Sequence, residues 1–135
     1  MYNMRINLRK YYNKTITVYA IFQTYGRGKY YTKTDSNGIR TTVHPEPTFC
    51  IKDISKNLIK PLCSHAWISG RKDSKILKQL KIKRGDLIKI TATVIRYDNK
   101  ENYTFDGVEN VFKINNPIVI FYYRIYTKIV NKLFS

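Results

Sequence analysis

An all-β domain of five strands, with one short helix between the third and fourth strands and a further helix at the C-terminus, is predicted by three observations in this 135-residue chain. Runs rich in β-branched and aromatic residues recur along it, separated by Gly, Pro and Asn-Gly signals. Apolar residues take helical spacing in only two places, around Ile76 and after Pro117. Hydrophobic residues at 43% and aromatic residues at 14% supply enough apolar surface to exclude disorder.

Residues 1–14 are polar, basic and tyrosine-bearing, and are expected to form a basic N-terminal arm or an edge strand. The run Ile16 to Tyr25 reads as the first strand, leading into Gly26-Arg27-Gly28-Lys29-Tyr30-Tyr31-Thr32-Lys33. Asp35-Ser36-Asn37-Gly38 is a turn, because Asn and Gly both tolerate positive φ. Pro45 and Pro47 mark a loop, since proline removes a ladder donor. Thr48 to Ile54 is the second strand and Leu62 to Ile68, after Pro61, the third. Asp73 or Ser74 is expected to cap a helix carrying Ile76, Leu77 and Leu80. Lys83-Arg84-Gly85-Asp86 turns into the longest strand, Leu87 to Tyr97, whose Ile88, Ile90, Ala92 and Val94 share one apolar face. A turn at 98–102 precedes a last strand from about Glu109 to Ile114. After Pro117, Ile118, Tyr122, Ile125, Ile129 and Leu133 share a helical face expected to dock on the strands, with a membrane-surface helix as the alternative. The expected organisation is an arm at 1–14, a barrel at 15–116 and a packed amphipathic helix at 117–135.

Charge indicates the partner. Twenty-five Lys and Arg against nine Asp and Glu give a formal net charge of +16. The first acidic residue is Asp35 and none follows Glu109. Folding gains nothing from such repulsion, whereas a polyanion does: each phosphate neutralised releases condensed counterions. An AT-rich genome would account for abundant Lys, Asn, Ile and Tyr, but it would supply Asp and Glu as well. It therefore explains the lysines and not the asymmetry.

Three strands, a helix and two strands, with a basic Gly-Asp turn (Lys83 to Asp86) opening a long fourth strand, resembles the OB-fold, a five-stranded Greek-key barrel. The resemblance covers about residues 15–116 and is one of pattern. It implies a binding face on the second and third strands, flanked by the loop between strands one and two and the loop between strands four and five. The first loop holds Tyr25, Arg27, Lys29, Tyr30, Tyr31, Lys33 and Arg40, with Gly26 and Gly28 letting the backbone flex. The second holds Arg96, Tyr97, Lys100 and Tyr103. Rings stack on unpaired bases while cations follow the phosphates, so this interleaving suits a single strand. Lys52, His65 and Trp67 complete the candidate set from the implied face. Trp67 and His65 lie on one side of the third strand, Ala66 and Ile68 on the other. Either pair fits the core, and the usual burial of tryptophan favours placing Trp67 there.

Other chemistries find little footing. His44, Cys50, Cys63 and His65 match no usual zinc spacing, and no metal or cofactor is expected. Asp35, Asp53, Asp86, Asp98 and Asp106 are scattered through turns without a nucleophile–base pair, so the chain is not expected to be an enzyme. Gly26-Arg27-Gly28 lacks the strand–GxGxxG–helix setting of a nucleotide cradle. Neither a signal-peptide pattern nor an apolar window of about eighteen residues occurs, and the two cysteines give no disulfide framework. A cytoplasmic protein without integral membrane association is therefore expected, binding single-stranded DNA or RNA with little sequence preference. Composition and resemblance together suggest an accessory replication factor of a bacterial mobile element or phage, working beside replication or processing proteins. The rival expectations are a basic protein-binding module or inhibitor of a host nucleic-acid enzyme, and a structural component of a ribonucleoprotein.

Overall fold

The computed structural model describes residues 5–27, 31–43, 47–58, 60–96 and 103–134. Among the described residues, seven strands and two α-helices follow a 3-10 helix at Arg5–Tyr11: β1 (Thr15–Arg27), β2 (Tyr31–Thr34), β3 (Arg40–Val43), β4 (Pro47–Lys56), β5 (Lys60–Ser69), α1 (Arg71–Gln79), β6 (Leu87–Arg96), β7 (Tyr103–Lys113) and α2 (Pro117–Phe134). Five strands form one antiparallel sheet in the order β5-β4-β1-β6-β7, and β2 and β3 pair separately as a ribbon. The two edge strands of the large sheet meet, with the Thr104 hydroxyl of β7 donating to the Trp67 carbonyl of β5 at 2.6 Å.

Alternation decides what lies inside. Val18, Ala20 and Phe22 of β1 face Ile88, Ile90, Ala92 and Val94 of β6 in one core, completed by Phe49, Ile51, Leu62, Ala66, Ile68 and Phe105. Leu77 of α1 and Leu8 of the 3-10 helix close this core, both fully buried. A second, smaller core lies outside the sheet, where Ile21 and Leu87 pack against Tyr123 of α2. The Lys83–Asp86 turn is held to β1 through Phe22, Gly85 donating to the Phe22 carbonyl and Phe22 to that of Asp86, each at 2.9 Å.

Several elements differ from the sequence reading, each for a local reason. Residues 5–11 form a 3-10 helix rather than an arm or strand, because Leu8 inserts into the core. The ribbon turn uses only Gly38 at positive φ (78°), while the Asp35 carboxylate holds Asn37 and Ile39 through their N–H groups at 2.8 and 3.0 Å. Asp73 does not cap α1: Gly70 precedes the helix, and Asp73 is buried, accepting from the Val108 N–H at 3.5 Å. Strand β7 begins six residues earlier than expected. Its polar, glycine-bearing start reads as a turn, but Gly107 at φ 60° absorbs a register shift and lets pairing continue.

The face of α2 that docks is not the one its sequence suggests. Tyr123 and Val130 are buried, with Val119, Ile120 and Tyr126 packed beside them. Ile118, Tyr122, Ile125, Ile129 and Leu133 point outward with Phe121 and are 44 to 77% exposed. A polar anchor decides this orientation: the Tyr123 hydroxyl lies among the carbonyls of Asp53 and Tyr19 (3.1 Å for Tyr19) and the Ser55 hydroxyl (3.0 Å). Burial pushes the Tyr126 phenol up to about 12, with neighbouring Tyr122 adding to it. No helix among the described residues is long and apolar enough to cross a membrane.

Candidate nucleic-acid interface

The outer surface of β1, β4 and β5 carries a cleft of about 430 Å³, roomy enough for a small ligand. Trp67 and His65 of β5 stand on one side, paired across the ladder with Cys50 and Lys52 of β4. Gln23 and Thr24 of β1 form the opposite wall, and Asn131 of α2 reaches the end near Asp53.

Trp67 is outside the core, contrary to its expected place. Phe22, Phe49 and Phe105 already fill the interior, and Leu62, Ala66 and Ile68 claim the inward positions of β5. The indole is 46% exposed and lies across β4 onto β1. A Cβ at Gly26 would stand 3.1 Å from the indole Cζ3 and 3.1 Å from Thr48 Oγ1. Glycine at 26 therefore permits a close approach of ring to backbone, rather than flexing a loop, since Gly26 is paired with Thr48 inside β1. The indole is thus held against the sheet on one side and leaves its other side to solvent.

Asp53 owes its position to a bulge. Between Tyr19 and Ile21 on β1, the partner strand passes from Ser55 to Lys52, one residue more than the pairing needs. Asp53 absorbs the excess at φ 52°, in the left-handed region. Its Oδ1 accepts from the Asn131 amide at 3.2 Å. Burial pushes its carboxyl above the ordinary value, against the opposing effects of the Asn131 hydrogen bond and nearby Lys52. A carboxyl whose folded pKa exceeds its unfolded one binds its proton better when folded. Its ionisation thus costs stability as pH rises through the unfolded value of about 3.9 toward the folded one. Asp53→Asn is expected to raise the thermal midpoint at pH 7, helped by the tolerance of asparagine for left-handed backbone. The gain should shrink as pH falls from the raised folded value toward about 4 and be absent below it, and a lower midpoint at pH 7 would contradict this account.

The other candidate residues divide. Lys52, His65 and Trp67 meet at the cleft. Lys33 and Arg40 are exposed on the β2–β3 ribbon, and Arg96 is exposed at the end of β6. Tyr25 turns inward instead: its ring lies 4.6 Å from that of Phe22 and its hydroxyl donates to the Ile82 carbonyl at 2.9 Å. Burial, then Asp86, raises its phenol. Tyr103 is 4% exposed and meets Tyr12 edge to face at 6.0 Å, so it offers no open ring surface. Lys29, Tyr30, Tyr97 and Lys100, along with Gly28 and His44, lie outside the described residues, as do the side chains of Arg27 and Tyr31.

Two groups escaped the sequence reading. One is the set Gln23, Cys50, Asp53 and Asn131 in the cleft. The other surrounds Tyr11, whose ring has the ammonium groups of Lys56, Lys10 and Lys60 at 4.7, 5.4 and 6.0 Å. Burial raises the Tyr11 phenol, but the Lys60 hydrogen bond and the three lysine charges bring it below its ordinary value. Lys56 and Lys60 pair across the β4–β5 turn, where Asn57 and Leu58 both take positive φ. That turn was the available signal, and Leu58 concealed it, since leucine rarely adopts such backbone.

No family model matches this chain, and no curated protein matches it. Among solved structures it is similar to the mitochondrial single-stranded DNA binding protein Rim1 from S. cerevisiae, at 10% identity and a TM-score of 0.43, over 76% of this chain and 94% of that one. A selenomethionine-labelled structure of the same protein gives 10% identity and a TM-score of 0.42, over 76% and 95%.

Proposed function

We propose that this protein binds single-stranded nucleic acid, DNA rather than RNA, with little sequence preference. The observation that carries the reading is the exposed Trp67 indole, laid over Gly26 beside Lys52 and His65, in a chain of net charge +16. The strand order supports it: with β5 and β7 meeting and α1 between β5 and β6, a Greek-key OB barrel would place its binding face on β4 and β5, where the cleft lies. Lys56 and Lys60, at the turn end of the same ribbon, would extend a phosphate track away from Trp67. The protein acts by binding rather than catalysis, in the cytoplasm, as an accessory replication factor of a bacterial mobile element or phage.

One feature favours a second reading, a protein-binding module or inhibitor. The outward apolar face of α2 is flanked by Arg124, Lys128 and Lys132, which suits a partner groove with an acidic rim. A gel-shift series with single-stranded and duplex DNA at several salt concentrations separates the two. About five to seven phosphate contacts give a slope of log affinity against log salt of roughly −3.5 to −5 for single strands. Single strands should bind more tightly than duplex, because stacking needs unpaired bases. Equal affinity for both, or binding indifferent to salt, would overturn the single-strand reading.

A further inference from the structure

We propose that the cleft beside Trp67 reads one base of the bound strand, favouring a base whose edge carries an amino group beside a ring nitrogen acceptor over uracil or thymine. The inference rests on the single-strand reading above and assigns the chemistry of one position within it.

Among the described residues, Asp53 is the only acid lining this cleft. A carboxylate there opposes phosphate, so it weakens a purely electrostatic track and makes sense only against something that donates hydrogen bonds. It is also not placed by chance of a loop: the β4 bulge turns it toward the cleft, and Asn131, 78 positions away in sequence, fixes its Oδ1 at 3.2 Å. None of the described residues donates to its Oδ2. An ionised carboxylate can only accept. On the β1 wall of the same cleft, Gln23 accepts from the Cys50 thiol at 3.4 Å through its amide oxygen, which leaves the amide NH2 to donate. Lys52 adds a second donor.

The cleft thus holds an acceptor, Asp53, and donors, Gln23 and Lys52, in one lining. Cytosine presents the complement, an N4 amino donor next to acceptors at N3 and O2, and adenine presents an amino group beside N1. Uracil and thymine carry an acceptor, O4, where cytosine has its amino group. Facing O4 against the Asp53 carboxylate sets two acceptors together and leaves both unsatisfied. Trp67 provides the stack from which the base edge can reach this lining.

Trp67 is the single tryptophan of the chain, so its fluorescence reports the stack directly. The test titrates the protein with deoxycytidine and deoxyuridine strands of about twelve nucleotides at one salt concentration. These strands share their backbone and ring size and differ at the base edge. The cytosine strand should bind about fivefold or more tighter. In Asp53→Asn, whose amide can donate as well as accept, that ratio should fall toward one. Equal affinities in the parent protein, or an unchanged ratio in Asp53→Asn, overturn the base-edge assignment while quenching by both strands keeps the single-strand reading. Failure of both strands to bind or quench overturns the assignment together with that reading.

Discussion

Replacing Tyr123 with alanine is expected to lower unfolding stability by about 3–5 kcal/mol, the range for deleting a large buried ring. The ring is fully buried with Ile21 and Leu87, and it is the centre of the small core that joins α2 to the sheet. Its hydroxyl ties α2 to the backbone of Asp53 and Tyr19 and to Ser55. Tyr123→Phe keeps the apolar contact and leaves these polar groups without their partner, so about 1–3 kcal/mol is expected there. Chemical denaturation of the two variants separates packing from hydrogen bonding. A Tyr123→Ala protein as stable as the parent would mean that α2 does not dock through this residue. Because Asn131 reaches the cleft from the same helix, loosening α2 should also disturb the end of the cleft near Asp53.

Trp67→Ala is expected to weaken single-strand binding by about 1–3 kcal/mol, five- to 150-fold, while the thermal midpoint moves little. The indole is 46% exposed and fills no core position, so its removal opens no cavity. Gly26→Val should reproduce much of the loss without touching the tryptophan, because a side chain at 26 would collide with the indole at 3.1 Å and lift it off the sheet. Tyr25→Ala should do the reverse. Its ring packs on Phe22 and its hydroxyl holds Ile82, so stability falls and the stacking surface is spared. Binding titrations and thermal unfolding on the same three variants decide the matter. If Trp67→Ala unfolds the protein, or binds as the parent does, the platform has been misplaced.

The sequence by itself determined the charge and the central strands, but not the β2–β3 ribbon strands or the start of β7. Alternation marks β6 without ambiguity, because Ile88, Ile90, Ala92 and Val94 stand two apart and polar residues fill the intervening outward positions. Asn-Gly marks the ribbon turn, since its backbone preference acts locally, whereas Pro47 and Pro61, read as a loop and a break, are paired within β4 and β5 near the strand starts, where a missing N–H donor is tolerated. The excess of cations needs no fold to be read. Lys52 and His65 could also be named, because the pairing of the second and third strands follows from their order.

What tertiary structure decided is which of two permitted faces turned inward. The alternation in β5 is equally consistent with Trp67 in or out, and only the volume already taken by three phenylalanines settles it. The helical pattern of α2 contains two apolar faces, and the one that docks carries Tyr123, whose hydroxyl finds carbonyls of β1 and β4 that no local pattern reveals. The cleft depends on the same kind of distant meeting. Asp53 reads as a turn residue until a one-residue bulge against β1 directs it toward the cleft, and Asn131 reaches it from the far end of the chain. Local preferences are encoded residue by residue, whereas such meetings depend on how whole elements share one volume, which is why the central strands were legible and the site was not.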